Sequence, residues 1–189
     1  DWQIDKSKKI ILLPGRLTSW KGQESFIEAL SLVNKELGYN SFYAVILGSD
    51  QGRNVYRKKI VRLVEQHRLT KQVKFIKHCK NMPVAYKISD LIVSASIEPE
   101  AFGRIAVEAQ SMSKPIIASN IGGSKETVLN KKSGFLYKHD DPRELAKYLN
   151  TVIQLSQEEL KLMGNEGRKN VTKKFDVEVM CDSNLREYK

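Results

Sequence analysis

Two kinds of hydrophobic pattern alternate along this chain. Short apolar runs predict strands that are buried on both faces, and longer segments with an apolar residue every three or four positions predict helices with one buried face. The first two apolar runs end at Gly15 and Gly48, which is typical of strands that turn into loops. The predicted strands lie at residues 8–14, 42–48, 73–76, 90–96, 114–119 and 133–137.

The predicted helices fill the intervals between these strands. They cover residues 26–37, 53–69 and 81–88, one begins at 102–104, another is started by the capping residues at 140–142, and the charged segment 156–189 is helical in pattern. We expect Gly164 and Gly167 to interrupt this last segment. The alternation predicts a single Rossmann-like α/β domain that covers residues 1–189, a doubly wound parallel sheet of about six strands with helices on both faces.

The composition favours an anionic partner. The 189 residues include 32 Lys and Arg against 22 Asp and Glu, a net charge of +10, which suits nucleotides, nucleic acid or an acidic membrane surface. No apolar run approaches the ~18 residues of a membrane span, and no signal peptide is visible, so we expect a cytoplasmic protein. The chain begins at Asp1 and its first methionine is Met82, which we interpret as a portion of a longer protein.

The two cysteines do not indicate a disulfide framework or a metal site. Cys79 and Cys181 are too few for such a framework and lack the spacing of metal ligands. We therefore interpret them as buried or free thiols, and we predict no metal ion and no cofactor.

A basic loop follows the first predicted strand. Gly15, Arg16, Lys21 and Gly22 lie between that strand and a helical segment. Open α/β sheets bind ligands at the carboxyl ends of their strands, where glycines let a ligand approach the backbone and cations attract anions. The loop therefore predicts a diphosphate site, although loop cations are more often simply solvated.

The segment from Glu98 to Ala109 joins a strand end, a loop and a helix start. The exposed N–H groups of a helix N-terminus favour an anion such as phosphate. Glu100 and Glu108 would repel that anion, so we expect each to accept hydrogen bonds from sugar hydroxyls on either side of it. The segment therefore predicts a site for a nucleotide sugar.

Further loops carry weaker signals. Gly122 and Gly123 meet another predicted helix start, where Glu126 is either a hydroxyl acceptor or an acid that complements the helix dipole. Lys77 and His78 follow the third predicted strand, where they border an expected pocket for the base, although a lone histidine is usually incidental.

Four segments together resemble a known family. GRLTSWKG (15–22), ILGSD (46–50), EPEAFGRIAVEA (98–109) and GGSKE (122–126) occur in the order and at about the spacing found in the C-terminal, donor-binding domain of retaining glycosyltransferases of family 4, also called group 1, which have the GT-B fold. The resemblance spans nearly the whole chain and makes it one half of a GT-B enzyme.

The resemblance implies a role for each matching residue. Arg16 and Lys21 would hold the donor diphosphate, Glu100 would contact hydroxyls of the transferred sugar, and Glu108 would contact the ribose. Backbone amides would cradle the hexose and the distal phosphate. These amides belong to Phe102, Gly103, Arg104 and Ile105, and the donor-binding glycines are Gly15, Gly48, Gly122 and Gly123.

The resemblance also implies chemistry and partners. Such enzymes transfer a sugar from a nucleoside diphosphate sugar, with retention and generally without an essential metal, to a glycan or lipid-linked acceptor. In the family an N-terminal domain binds the acceptor; since we find no counterpart in this chain, we expect the chain alone to be inactive. Its last segment, 175–189, would pack towards that domain and is expected to be frayed or rearranged. Contact with the inner face of a membrane is a further expectation.

Two other functions fit parts of the sequence. A basic α/β module that binds RNA or another polyanion would explain the net charge, but acids at the ligand crevice oppose binding to a phosphate backbone. The donor half of a GT-B sugar-nucleotide epimerase would share the same motifs, and only the acceptor half or the reaction product would distinguish it.

Overall fold

A six-stranded parallel sheet forms the centre of the protein. The structure is a computed structural model that describes residues 8–38, 41–52 and 54–187, apart from the side chains at 180, 183, 184 and 187. The strands lie in the order β3-β2-β1-β4-β5-β6, and each pairs in parallel with its neighbours. They are β1 (Lys9–Pro14), β2 (Phe42–Leu47), β3 (Val73–Ile76), β4 (Leu91–Ser94), β5 (Ile116–Ser119) and β6 (Gly134–Tyr137). The predicted doubly wound sheet is confirmed.

Eight helices occur in the described part of the chain. A short 3-10 turn, Ser19–Lys21, precedes the first of them. The helices are α1 (Gln23–Leu37), α2 (Asn54–Gln66), α3 (Met82–Ile88), α4 (Arg104–Ser111), α5 (Ser124–Thr127), α6 (Pro142–Gln154), α7 (Gln157–Lys174) and α8 (Val177–Glu187). Asp141 caps α6 as its sequence predicts, because its side chain accepts hydrogen bonds from two backbone N–H groups of the first turn. The predicted helix start at residue 53 and the chain end at 188–189 lie outside the described residues.

The core lies on both faces of the sheet. Alternate residues of β1 point to opposite faces, so Ile11 and Leu13 pack in one cluster with Phe26 of α1. Leu12 packs in the other cluster with Ala106 of α4. Both faces of the strand are therefore covered, which explains why β1 reads as an unbroken apolar run.

The strand order places a crevice at the carboxyl ends of β1 and β4. The chain proceeds from β1 outward to β2 and β3, then returns to place β4 on the other side of β1. Neighbouring loops diverge at such a reversal and leave room for a ligand. The loops that follow β1 and β4 are the two that carry the predicted basic and acidic residues.

The prediction that Gly164 and Gly167 interrupt the last helical segment is wrong. Both lie inside the continuous helix α7 and are buried. A Cβ atom on Gly164 would lie 1.9 Å from the backbone oxygen of Ser113, and one on Gly167 would lie 2.8 Å from Cγ of Gln110. The glycines therefore allow α7 to pack closely against α4 and the turn after it. The segment breaks instead at Phe175, which ends α7.

The last helix, α8, presents apolar side chains to solvent. Val177 and Leu185 are 68% and 63% exposed. The expected rearrangement of this segment stays a prediction. Among the described residues, none of the helices combines the length and apolar character needed to cross a membrane.

Candidate active site

A cavity of about 460 Å³ opens at the carboxyl ends of β1 and β4. Three segments form its wall: the loop after β1, the helix α3, and the loop after β4 together with the start of α4. The lining residues are Pro14, Gly15, Arg16, Trp20, Lys21, Met82, Tyr86, Glu100, Ala101, Phe102, Gly103, Arg104, Ile105 and Glu108. The structure therefore brings Arg16, Lys21, Glu100 and Glu108 together in one cavity.

Buried hydrogen bonds fix the backbone of the loop after β1. Gln23, which is fully buried, donates from Nε2 to the carbonyl of Arg16 at 2.9 Å. The hydroxyl of Tyr56 in turn donates to Oε1 of Gln23 at 3.1 Å. The Arg16 backbone is therefore held from α1 and α2, while its guanidinium side chain remains exposed.

Trp20 lies beside both cations of this loop. Its ring centroid is 4.4 Å from Nζ of Lys21 and 5.5 Å from Cζ of Arg16. Both distances lie within the ~6 Å range of cation–π attraction, so the ring holds two like charges near each other. Trp20 was not predicted as a site residue; its position between Arg16 and Lys21 in the basic loop was the available signal.

Glu100 is fixed by side chains from two elements. Its Oε1 lies 2.7 Å from Nζ of Lys21 and also accepts a hydrogen bond from the hydroxyl of Ser96. The side chains of Lys21 and Glu100 are only 10% and 20% exposed. Ser96 was missed because we interpreted it as the last residue of a buried strand.

A glycine pair supports the backbone of Glu100. The N–H of Gly123 donates to the carbonyl of Glu100 at 2.9 Å. A Cβ atom on Gly122 would lie 2.4 Å from the same carbonyl oxygen, and one on Gly123 would lie 2.4 Å from the carbonyl oxygen of Phe102. The turn before α5 therefore packs directly under the loop that carries Glu100.

The N-terminus of α4 faces the cavity with unpaired N–H groups. Gly103 is the N-cap residue, with φ of 73°, and no side chain caps this end. Within the described residues, none of the backbone N–H groups of Phe102, Gly103, Arg104 and Ile105 donates a hydrogen bond to the protein. These groups and the helix dipole favour an anion at this point.

Glu108 is oriented by Tyr86, which lines the cavity from α3. The Tyr86 hydroxyl donates to Oε2 of Glu108 at 2.7 Å, and Oε1 lies 3.6 Å from Nε of Arg104. Burial raises the pKa of Tyr86 well above its ordinary value, and the hydrogen bond to Glu108 raises it further. The phenol therefore keeps its proton and remains a donor. Its spacing of four residues from Met82 on a short helix was the only sequence signal.

Phe102 connects the cavity to the C-terminal helices. Its ring packs edge to face against Phe175, with centroids 5.7 Å apart and planes at 72°. Phe175 is the residue at which α7 ends. Phe102 is nevertheless 45% exposed, so part of its ring remains available to a ligand.

Several predicted site residues lie outside the cavity wall among the described residues. Gly48 packs against the loop after β1, since a Cβ there would lie 1.8 Å from the carbonyl oxygen of Gly15. Gly122 and Gly123 lie behind the Glu100 loop, as described above. Lys77 and His78 are exposed beyond the end of β3, and Glu126 is exposed in the first turn of α5.

The described residues contain no cluster of three His, Cys, Asp or Glu side chains able to hold a metal ion. Cys79 and Cys181 are free thiols. The described cavity wall offers three cations, Arg16, Lys21 and Arg104, and unpaired amides for an anion, and it also offers two carboxylates that accept hydrogen bonds.

Several known proteins and solved structures are similar to this chain. The chain is 29% identical over 188 residues to spore coat protein SA of Bacillus subtilis, covering 96% of this chain and 48% of that protein. A glycosyltransferase structure from Rickettsia africae is similar at 35% identity and a TM-score of 0.87, covering 95% of this chain and 47% of that one. Anabaena Alr3699/HepE, solved in complex with UDP-glucose, is similar at 28% identity and a TM-score of 0.85, covering 96% and 48%.

The chain thus spans about half the length of the relatives it matches. The family model described as glycosyl transferases group 1 matches residues 1–170, which includes every residue of the cavity wall. The chain belongs to the glycosyl transferases group 1 family.

Proposed function

We propose that this chain is the donor-binding half of a retaining glycosyltransferase that moves a sugar from a nucleoside diphosphate sugar to an acceptor hydroxyl. The observation that carries the proposal is the cavity itself, whose wall contains Arg16, Lys21 and the free N–H groups of α4 together with Glu100 and Glu108. The complex of HepE with UDP-glucose supports the class of donor.

The diphosphate would lie where positive charge is concentrated. Arg16 offers an exposed guanidinium, Lys21 offers a largely buried ammonium, and the start of α4 offers unpaired N–H groups. Each charge-assisted hydrogen bond to phosphate contributes roughly 1.5–3 kcal/mol. Glu100 would then accept hydrogen bonds from hydroxyls of the transferred sugar, and Glu108 from hydroxyls of the ribose.

The same groups would assist the chemical step. The bond between the anomeric carbon and the diphosphate oxygen breaks, and its electron pair leaves with the diphosphate. The acceptor oxygen forms the new bond on the same face of the sugar, and its proton passes to the departing diphosphate. Arg16, Lys21 and the α4 amides would stabilise the negative charge that develops on the diphosphate, a task that a divalent cation performs in other enzymes.

The acceptor would be bound by a second domain. The chain spans about half of its relatives, and the cavity is built from one Rossmann-like domain, so we propose that a further domain closes over the donor. A glycan or a lipid-linked acceptor fits this arrangement, and a lipid-linked one would require contact with a membrane surface. We propose no role for nucleic acid, because two carboxylates line the crevice.

A thermal-shift panel tests the donor site. We expect one of UDP, GDP or ADP, or its hexose conjugate, to raise the melting temperature of the wild-type chain. Arg16→Ala and Glu108→Ala should each lower the affinity for that ligand by roughly ten- to a hundredfold, which corresponds to the loss of one charge-assisted hydrogen bond. Arg62→Ala and Glu65→Ala remove the same charges from exposed positions on α2 and serve as matched controls.

Two results would refute the proposal. One is an identical response of the wild type and both cavity variants. The other is no response to any nucleoside diphosphate together with steeply salt-dependent binding of RNA, which would favour a polyanion-binding module. Incubating the complete enzyme with donor and acceptor, followed by product analysis, distinguishes a transferase from an epimerase.

A further inference from the structure

Lys21 and Glu100, which the proposed function assigns to different parts of the donor, are bound to each other in this structure. The ammonium of Lys21 lies 2.7 Å from Oε1 of Glu100. A phosphate that binds Lys21 must therefore share the ammonium with this carboxylate or displace it.

We propose that Glu100 discriminates between the nucleotide sugar and the nucleoside diphosphate that remains after transfer. It binds the sugar when one is present and competes with the diphosphate for Lys21 when the sugar is gone. This inference rests on the proposed function, because it needs a diphosphate at Lys21 and a sugar at Glu100.

The ion pair between Lys21 and Glu100 is largely buried, so its competition with a bound phosphate has a large effect on affinity. Its two side chains are 10% and 20% exposed, so solvent and salt screen their charges less than those of a surface pair. Lys21 also lies 4.4 Å from the centroid of Trp20, which limits the directions in which the ammonium can turn. The lysine is therefore held on the Glu100 side of the cavity.

Glu100 is held as firmly as its partner. Ser96, which is 4% exposed, donates its hydroxyl to the same Oε1 atom that Lys21 contacts. Within the described residues, Oε2 of Glu100 accepts no hydrogen bond, and Glu100 lines the cavity. One oxygen of the carboxylate is thus committed to the protein, and the other is available to a ligand.

The nucleotide sugar and the nucleoside diphosphate interact differently with the carboxylate of Glu100. A hexose hydroxyl can donate to Oε2 while Oε1 keeps its contacts, so the nucleotide sugar gains a charge-assisted hydrogen bond. A nucleoside diphosphate has no such donor, and its terminal phosphate carries more negative charge than a phosphate esterified to a sugar. Its approach to Lys21 therefore brings like charges together and weakens an existing ion pair.

The consequence is assisted product release. Once the sugar has been transferred, Glu100 loses its contact with the sugar hydroxyl, and its ion pair with Lys21 then competes with the contact between Lys21 and the diphosphate. We expect the wild-type chain to bind the nucleotide sugar better, relative to the product, than a variant without this carboxylate does.

Isothermal titration calorimetry with UDP and UDP-glucose tests the inference, with the GDP and ADP pairs used if the uridine pair does not bind. Glu100→Gln should bind UDP roughly three- to tenfold more tightly than the wild type and UDP-glucose more weakly, so that the ratio of the two dissociation constants changes about tenfold or more. The ratio is informative even if the variant is less stable, because both ligands are measured on the same protein.

Two further variants act as controls. Glu98→Gln removes the same charge from the same loop at an exposed position and should leave the ratio unchanged. Glu100→Ala removes the carboxylate without adding an amide donor and should also bind UDP more tightly. If only Glu100→Gln gains affinity for UDP, the gain comes from its new amide and the inference is overturned.

The possible failures are distinguishable. If a nucleotide pair binds the wild type but neither Glu100 variant changes the ratio, the inference fails and the proposed function stands. If none of the three pairs binds the wild type, the proposed function fails and the inference fails with it.

Discussion

Gly122 supports the loop that carries Glu100, so replacing it with alanine should disturb the site from behind. The new Cβ atom would lie 2.4 Å from the carbonyl oxygen of Glu100 and 2.7 Å from its backbone nitrogen. Both atoms belong to the backbone, so no side-chain rotation relieves the contact. Ordinary contact begins at 3.4 Å, and the Glu100 backbone must therefore retreat by about 1 Å.

Two costs add in this variant. Gly122 has φ of 54°, a left-handed conformation that costs a residue with a side chain about 1–2 kcal/mol. The overlap with the Glu100 backbone adds about 1–3 kcal/mol, as overpacking does in other cores. We expect a loss of about 2–5 kcal/mol, which in a domain of this size lowers the melting temperature by roughly 4–20 °C.

The displacement of the Glu100 backbone in Gly122→Ala should also weaken ligand binding. A shift of about 1 Å in a positioning group can cost a hundredfold in the reaction it serves. We therefore expect Gly122→Ala, at a temperature where it remains folded, to lose affinity for the nucleotide sugar more than for the nucleoside diphosphate. Differential scanning calorimetry and titration calorimetry measure the two effects.

Gly52→Ala is a matched control for the conformational cost. Gly52 has φ of 82°, and among the described residues, apart from its chain neighbours, no atom lies within 4 Å of a Cβ built on it. It should lose only about 1–2 kcal/mol of stability and no ligand affinity. The reasoning is refuted if Gly122→Ala behaves like Gly52→Ala in both measurements.

Two more substitutions test the packing around the site. A change from glycine to alanine stabilises an exposed helix by about 1 kcal/mol, but a Cβ on residue 164 would lie 1.9 Å from the Ser113 carbonyl oxygen. We therefore expect Gly164→Ala to lose about 1–2 kcal/mol of stability, measured by chemical denaturation. Equal or greater stability would contradict the close packing of α7. Tyr86→Phe leaves Glu108 without its phenolic donor and should lower the affinity for UDP by roughly threefold to tenfold while leaving the affinity for inorganic diphosphate unchanged. Equal losses of affinity for both ligands would indicate only a structural role.

The fold was predictable because each strand and most helices carry local signals. The run from Lys9 to Pro14 is apolar at every position after the first, since both faces of the central strand are covered, and Asp141 with Pro142 marks a helix start by cap chemistry alone. The glycines of α7 misled the prediction because a helix propensity is local, whereas the contact that selects Gly164 comes from Ser113, far away in the chain.

The site was predictable only where its residues sit at strand ends. Arg16 and Lys21 follow β1, and Glu100 follows β4, so the parallel sheet alone brings them to one edge. Tyr86 lies on a helix before its strand and reaches Glu108 through packing across 22 positions. No periodic pattern encodes that distance, and only the folded structure reveals the hydrogen bond.

The edge-to-face pair of Phe102 and Phe175 links the loop after β4 to the junction between α7 and α8. A rotation of α8 relative to α7 would shift the ring of Phe175 against the ring of Phe102. The loop after β4 would then be displaced. A partner that docked against the exposed apolar side chains of α8 would therefore act on the proposed donor site without touching the donor itself.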